Sequence, residues 1–358
     1  MIPAALVAII QCPDCGGRLD AAGDGVECGG CGRLFAVVSD VLDLRPAASF
    51  VEQTKYLDDA LHADARHTSI TPPVLGSKIR NDMLKRFLQP SSGDRVIDLG
   101  CGSGRALAWN ASSGAALFGV DVSPHFAPEA VAHSHLVLGD LRRLPIRTGA
   151  FTKAWSLDVL EHLSPQAFRD VLTEAARVLD ATGALFIYTH VRKNGPLAGG
   201  VRLVNGLARG LERLGLVDLG QERLRKSDHV NPIGDHEELA DVVHACGFQI
   251  ERITYYTPII GAFVENVLAR LAERWLVRRA ATRTPSAPLD DAAARRVART
   301  SAQARVGRGG MTYRLLVAVS AIMKLDVVLF GRFRSGPFFA LLRKSPPRAA
   351  GEPSVQAT

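Results

Sequence analysis

At 358 residues with 47% hydrophobic content, the chain is long enough for a full α/β domain together with a small module and an insertion. Its formal charge of +7 equals the excess carried by ten arginines between residues 270 and 310, opposed there by Glu273, Asp290 and Asp291, so the remainder is close to neutral. No uncharged apolar run reaches the roughly 18 residues that cross a bilayer, because Arg314 and Lys324 bracket the best candidate, Leu315 to Met323; a membrane-spanning helix is excluded.

Residues 1–45 form a glycine- and cysteine-rich unit. Cys12-Pro-Asp-Cys15 and Cys28-Gly-Gly-Cys31 are two Cys-x-x-Cys pairs separated by a twelve-residue spacer. Glycines after each pair let backbone amides turn toward thiolates, and four thiolates complete a tetrahedral structural zinc site with no open position for catalysis. A redox role for either pair fits the loop glycines less well. Cys101 and Cys246 stand alone, so the cysteine usage is that of a metal site in a reducing compartment and not a disulfide framework. The apolar opening, Met1 to Ile10, lacks a basic leader, and a cytoplasmic location is expected.

Residues 46–90 read as a helical connector, and the turn Pro90-Ser91-Ser92-Gly93 opens a main domain over 91–257. Short apolar runs then alternate with helical-length segments: Val96 to Leu99, Ala116 to Val120, Leu136 to Leu138, Lys153 to Leu157 and Ala184 to Thr189. Such alternation predicts βαβ units and a parallel sheet. Asp235 to Cys246 has helical spacing, stops at Gly247, and is followed by a strand over Phe248 to Thr257. The first of these strands runs into Asp98-Leu99-Gly100-Cys101-Gly102-Ser103-Gly104-Arg105, a glycine-spaced turn that presents amides to a ligand at a helix start. A dinucleotide fingerprint would want glycine where Arg105 stands, whereas Asp98 suits a ligand bearing an ammonium group. Asp121-Val122, Asp140-Leu141 and Leu157-Asp158 follow the next three strands, at the carboxyl edge where such sheets bind ligands.

These four blocks, in this order and ending in Asp158-Val159-Leu160-Glu161-His162-Leu163, resemble the class I, Rossmann-like S-adenosylmethionine-dependent methyltransferases of small-molecule type, over about residues 80 to 257. The resemblance implies an α/β fold: a doubly wound, mostly parallel seven-stranded sheet with a small N-terminal zinc ribbon and a helical insertion before the last strand. It also implies that Asp98, Gly100, Cys101, Gly102 and Gly104 surround the methionine part of S-adenosyl-L-methionine. By the same resemblance Asp121 holds the ribose, Asp140 with Leu141 and Val122 the adenine, and Leu157 and Asp158 border the methionine moiety and the acceptor. Cys12, Cys15, Cys28 and Cys31, as a zinc ribbon, resemble units fused to or partnered with methyltransferases. The reaction implied is in-line attack on a sulfonium methyl, which alignment alone can accelerate. If a base is needed, His162 is the nearest candidate, against a structural role capping the next helix, and His229 is a second.

Residues 258–336 interrupt the strand order with a helix-like stretch (Ile259 to Leu276), the arginine-rich linker and a second apolar stretch (Leu315 to Phe330). We expect an insertion, acting as a lid or as a peripheral element at the inner membrane surface, before a last strand within 337–345 and a disordered tail over 346–358. The acceptor expected is a small molecule or a lipid-linked or glycan precursor, methylated on oxygen or carbon; no Asn/Asp-Pro-Pro-Tyr block for base nitrogens is present. RNA methylation through the ribbon and the arginines is the alternative, with nucleic acid as partner, but aromatic residues for stacking bases are sparse, at 6%. A non-catalytic partner-binding module is a third reading.

Overall fold

The computed structural model describes residues 2–47, 70–220, 222–223, 227–281 and 310–346. The stretch 282–309, residues 48–69 of the connector and the tail from 347 lie outside these residues. The described chain opens with a one-turn helix α1 (Ala4–Val7) and a three-stranded antiparallel sheet of β1 (Leu19–Ala22), β2 (Gly25–Cys28) and β3 (Leu34–Phe35). A second hairpin follows, β4 (Val37–Val38) and β5 (Val41–Asp43).

That hairpin does not close the N-terminal unit. Leu42 and Asp43 pair in parallel with Val137 and Leu138, so β5 and β4 extend the main sheet. Leu19, Val26 and Phe35 of the ribbon are buried in the same apolar cluster as Ile97, Leu99 and Phe151 of the sheet. Two backbone bonds tighten the join, Gln11 N to Pro145 O at 3.0 Å and Arg147 N to Ile9 O at 2.8 Å.

The main sheet is built from β6 (Arg95–Leu99), β7 (Ala116–Asp121), β8 (His135–Leu138), β9 (Phe151–Leu157), β10 (Leu179–His190), β11 (Phe248–Tyr255) and β12 (Pro337–Lys344). Its order is β11-β12-β10-β9-β6-β7-β8-β5-β4, nine strands in all: the seven expected and the two-strand extension. Strands β10, β9, β6, β7 and β8 are parallel neighbours, and β12 enters antiparallel between β10 and β11. Val96, Ile97 and Leu99 are buried on both faces of the sheet, which is why they read as a continuous apolar run without alternation.

Helices α2 (Leu75–Leu88), α3 (Arg105–Asn110), α4 (Pro128–His133), α5 (Pro165–Val178), α6 (Ala198–Arg213) and α7 (His236–Ala245) connect and cover these strands. Ser164 caps α5 by accepting from Ala167 N at 3.2 Å, with Pro165 at its first turn, and Phe168, Val171, Leu172 and Ala175 line its buried face. Asp235 caps α7 in the same way through the amides of Glu237 and Glu238. The segment before β12 contains α8 (Ile259–Phe263), one π-helical turn (Val264–Leu268) and α9 (Ala269–Ala281), then, beyond the undescribed stretch, α10 (Met311–Met323) and α11 (Leu325–Phe330). One polar joint ties it to the core and a second ties its two halves together. Ser320 accepts from Leu75 N at 2.7 Å, and the buried carboxylate of Asp326 accepts from Ile260 N at 3.0 Å and Gly261 N at 2.7 Å, capping the start of α8.

Candidate functional site

The four N-terminal cysteines converge. Cys12 Sγ lies 3.8 Å from Cys31 Sγ and Cys15 Sγ 3.4 Å from Cys28 Sγ, and all four sulfurs fall within 4.8 Å of one another, a separation one tetrahedral ion can bridge. Amides point at the sulfurs: Gly17 N to Cys15 Sγ at 3.4 Å, Gly30 N to Cys28 Sγ at 3.4 Å and Cys31 N to Cys28 Sγ at 3.5 Å. These donors, the Cys31 amide foremost, hold the Cys28 thiol down to about 6, whereas burial pushes Cys12 up to about 12. Glycine at position 17 is a packing requirement, since a Cβ there would stand 2.9 Å from Cys28 Sγ.

On the main domain the carboxyl ends of β6 to β10 open into one cavity of about 1010 Å³. Gly100, Cys101, Gly102, Asp121, Val122, Asp140, Leu141, Leu157 and Asp158 line it, as do both histidines named from sequence, His162 and His229. The glycine turn is held from below. Gly100 N donates to Val120 O at 2.9 Å, and Gly102 N donates to Asp121 Oδ2 at 2.7 Å, while Asp121 Oδ1 accepts from Ser123 N at 2.9 Å. Gly100 has φ +80°, and a Cβ there would meet Val159 Cγ2 at 2.6 Å, so the turn and the segment after β9 can approach only because position 100 has no side chain. Across the cavity, Asp140 receives the Arg142 guanidinium at 2.8 Å and the Arg142 amide at 2.9 Å.

Two expected cofactor residues do not reach the cavity. Asp98 is 2% exposed within β6, opposite Trp155 of β9, and lies beneath the glycine turn; burial, with the nearby charge of Asp121 adding to it, pushes its carboxyl up to about 8. A group so placed acts on the turn from behind. Gly104 starts α3 in the left-handed region and packs against Ala130.

The wall beyond Leu157 contains groups that the sequence does not single out. Arg80 of α2 pairs with Asp158 at 3.0 Å, and its guanidinium lies 5.4 Å from the Tyr188 ring centre. Asp158 is held at φ +56°, an uncommon conformation for a non-glycine residue. Tyr188, Tyr256 and Glu265 complete this wall, with Glu265 Oε1 accepting from Gly76 N at 3.2 Å. Glu265 sits in the π-helical turn, an irregularity frequent at functional sites.

Below Asp158, three histidines surround one carboxylate. Glu161, 1% exposed, accepts from Thr189 Oγ1 at 3.1 Å and has His190 Nδ1 3.6 Å from its other oxygen. His162 Nδ1 faces Asp228 Oδ1 at 3.1 Å, and the His162 and His229 rings meet edge to face with centres 4.7 Å apart. Val230 N and Asn231 N both donate to Glu161 O at 2.9 Å, which is what brings His229 beside a residue 68 positions earlier in the chain. Burial works against the Glu161 charge, yet the neighbouring histidines hold its carboxyl below the usual range; burial and the His162 charge lower His229. Glu161 stood inside a recognised block and was passed over because its neighbour carried the more familiar chemistry. Arg80 and Glu265 gave no local signal, since their meeting depends on two helices far apart in sequence.

Comparison with known proteins places the middle of the chain. Residues 97–187 match the family described as methyltransferase domain. Methyltransferase GfsG of Streptomyces halstedii is 29% identical over 160 residues, covering 40% of this chain and 57% of that protein. A 24-methylenesterol C-methyltransferase 2 of Oryza sativa subsp. japonica is 26% identical over 191 residues, 49% of this chain and 46% of its own. The chain thus spans about half the length of the curated relatives it matches. Among solved structures, phosphoethanolamine N-methyltransferase 2 of Haemonchus contortus with S-adenosyl-L-methionine aligns over 83% of this chain and 59% of its own at 17% identity and a TM-score of 0.46.

Proposed function

We propose, since the chain belongs to the class I, Rossmann-like S-adenosylmethionine-dependent methyltransferases, that it transfers the methyl group of S-adenosyl-L-methionine to a small-molecule acceptor, on oxygen or carbon. The observation that carries this reading is the convergence on one cavity of the glycine turn, Asp121, Asp140 and the Leu157-Asp158 step with a separate wall of tyrosines, arginine and histidines. In the proposed arrangement the Gly100 to Gly102 amides face the methionine end, Asp121 takes the ribose hydroxyls, and Asp140 with Leu141 and Val122 takes adenine. Asp121 then serves both the turn, through the Gly102 and Ser123 amides, and the ligand, since a carboxylate oxygen can accept more than one hydrogen bond.

The acceptor enters from the opposite wall. Its nucleophilic atom gives its proton to a nearby base, for which His162 and His229 are candidates, and its electron pair forms the bond to the methyl carbon. The carbon–sulfur bond breaks with its pair going to sulfur, leaving S-adenosylhomocysteine. Arg192 and Arg202 line the same cavity, and neither joins an ion pair among the described residues, which supports an acceptor bearing an anionic group such as a phosphate or carboxylate.

The four-cysteine cluster is proposed as a structural zinc site, supported by its donor set and by the amides directed at it. No helix among the described residues is long and apolar enough to cross a membrane. Met311, Leu315, Val328, Leu329 and Phe333 are exposed on and after α10 and α11, beside the arginine-rich sequence, which supports peripheral contact with an anionic lipid surface. Flotation with anionic vesicles tests it: protein that stays in the soluble fraction removes that element of the reading.

Calorimetric titration of S-adenosyl-L-methionine and S-adenosylhomocysteine, with Asp121→Ala alongside, tests the central proposal. Micromolar binding lost in the variant supports the pocket; no binding to folded protein overturns methyl transfer and leaves a partner-binding module.

A further inference from the structure

We infer that Glu161, His162 and His229 form a second metal site, for one divalent transition-metal ion, on the acceptor side of the cavity. A carboxylate oxygen of Glu161 and one nitrogen from each ring lie within 4.8 Å of one another. Bonds of about 2.0–2.2 Å draw ligand atoms closer than that, so small ring rotations complete the set. Two imidazoles and one carboxylate form a donor set that suits zinc, iron, cobalt or nickel and leaves coordination positions open.

The surroundings are those of a supported ligand shell. Thr189 Oγ1 donates to Glu161 Oε2 at 3.1 Å, fixing one oxygen, while Oε1 lies 3.6 Å from His190 Nδ1, a contact looser than a hydrogen bond that an ion can displace. Asp228 Oδ1, 3.1 Å from His162 Nδ1, places a second carboxylate beside the ring, as second carboxylates stand beside metal-binding imidazoles. The two amides bound to Glu161 O fix the segment carrying His229 to the segment carrying the other two ligands. Glu161 is sequestered in the cavity wall, which removes water as a competing partner for its carboxylate.

This inference rests on the methyl-transfer reading for its purpose. Glu161 and His162 stand three and four residues past Asp158, and an ion held there would offer its open positions to acceptor oxygens, which narrows the class to molecules with two neighbouring oxygens: vicinal hydroxyls, or a hydroxyl beside a carbonyl. His162 and His229 would then act as ligands, and the hydroxyl proton would pass to solvent. The oxygen pair forms the bond to the methyl carbon and the carbon–sulfur pair leaves on sulfur.

The test uses the full chain with its ribbon loaded with zinc, titrated with Co²⁺ and followed by visible absorption and metal analysis. The expected result is one cobalt per chain with ligand-field bands and no thiolate charge-transfer absorption. Cobalt binding should weaken by about tenfold or more in Glu161→Gln and in His229→Ala, and measurably in Asp228→Asn. S-adenosylhomocysteine titration of every sample serves as the check on folding. Absence of cobalt beyond the ribbon, or uptake indifferent to Glu161→Gln and His229→Ala, overturns the site. Cofactor binding without cobalt removes the ion and leaves methyl transfer standing; cobalt without cofactor binding does the reverse.

Discussion

Arg80 Nε lies 3.0 Å from Asp158 Oδ2, and the same guanidinium covers the ring of Tyr188. One side chain from α2 therefore fixes both the left-handed residue after β9 and a phenol on the acceptor wall. Truncation to alanine leaves Asp158 to relax and opens space over Tyr188. Arg80→Ala should reduce kcat/KM for the acceptor by about tenfold, ~1.4 kcal/mol, while the affinity for S-adenosylhomocysteine changes little. Steady-state kinetics with calorimetry on one preparation check the split; equal losses in both would place Arg80 on the cofactor side.

Gly100 and Val159 make a second coupled pair. Gly100→Ala should abolish measurable cofactor binding, because the new methyl group meets Val159 and the residue is forced to hold a positive φ. Adding Val159→Ala removes the collision and leaves the backbone strain, on the order of 1–2 kcal/mol, so the double variant should recover part of the lost affinity. A double variant no better than Gly100→Ala would mean that steric contact is not the cause.

Asp98 predicts a pH dependence of stability. Its folded carboxyl titrates near 8, above the ordinary unfolded value of about 3.9, so the folded state holds the extra proton between those limits. The stabilisation is complete below the lower value and is lost as pH rises through the upper one. Denaturant midpoints of the wild type should fall between pH 5 and 8 relative to Asp98→Asn, with the carboxyl stretch in infrared spectra reporting protonation directly. Parallel pH profiles for the two proteins would refute the assignment.

Metal loss from the ribbon should reach the cofactor pocket. The connection after β8 carries Asp140 and Arg142, and it is tied to the ribbon through Arg143 Nη2 to Asp14 O at 2.5 Å and through the Gln11 and Arg147 amides. Chelation, or Cys31→Ser, should lower the melting temperature and weaken S-adenosylhomocysteine binding together. Zinc removal that lowers stability with unchanged binding would show the two regions to be energetically separate.

Much of this architecture was legible in the sequence where local rules govern. The strand at Val96 to Leu99, the glycine turn behind it and the carboxylates at Asp121 and Asp140 announce themselves, because burial and tight turns restrict residue choice at each position. The hairpin Val37 to Asp43 was not legible as part of the main sheet: strands of two and three residues have no periodicity to read, and their placement is set by pairing with β8. Asp98 is expected from the sequence to face the ligand, because a carboxylate stands next to a glycine turn, whereas its side chain lies inside the sheet beneath that turn. The histidine corner depended on a long-range contact, the Val230 and Asn231 amides closing onto Glu161 O, which no local pattern encodes.

The parallel pairing of Leu42 and Asp43 with Val137 and Leu138 gives β8 a neighbour on the side that would otherwise be an open edge. A protein cut before β6 would expose that row of unpaired amides and carbonyls and invite edge-to-edge association between copies. Ribbon and main sheet, which look like beads on a string in the sequence, therefore share one seam, and a part exchanged on either side has to supply the strand that seals it.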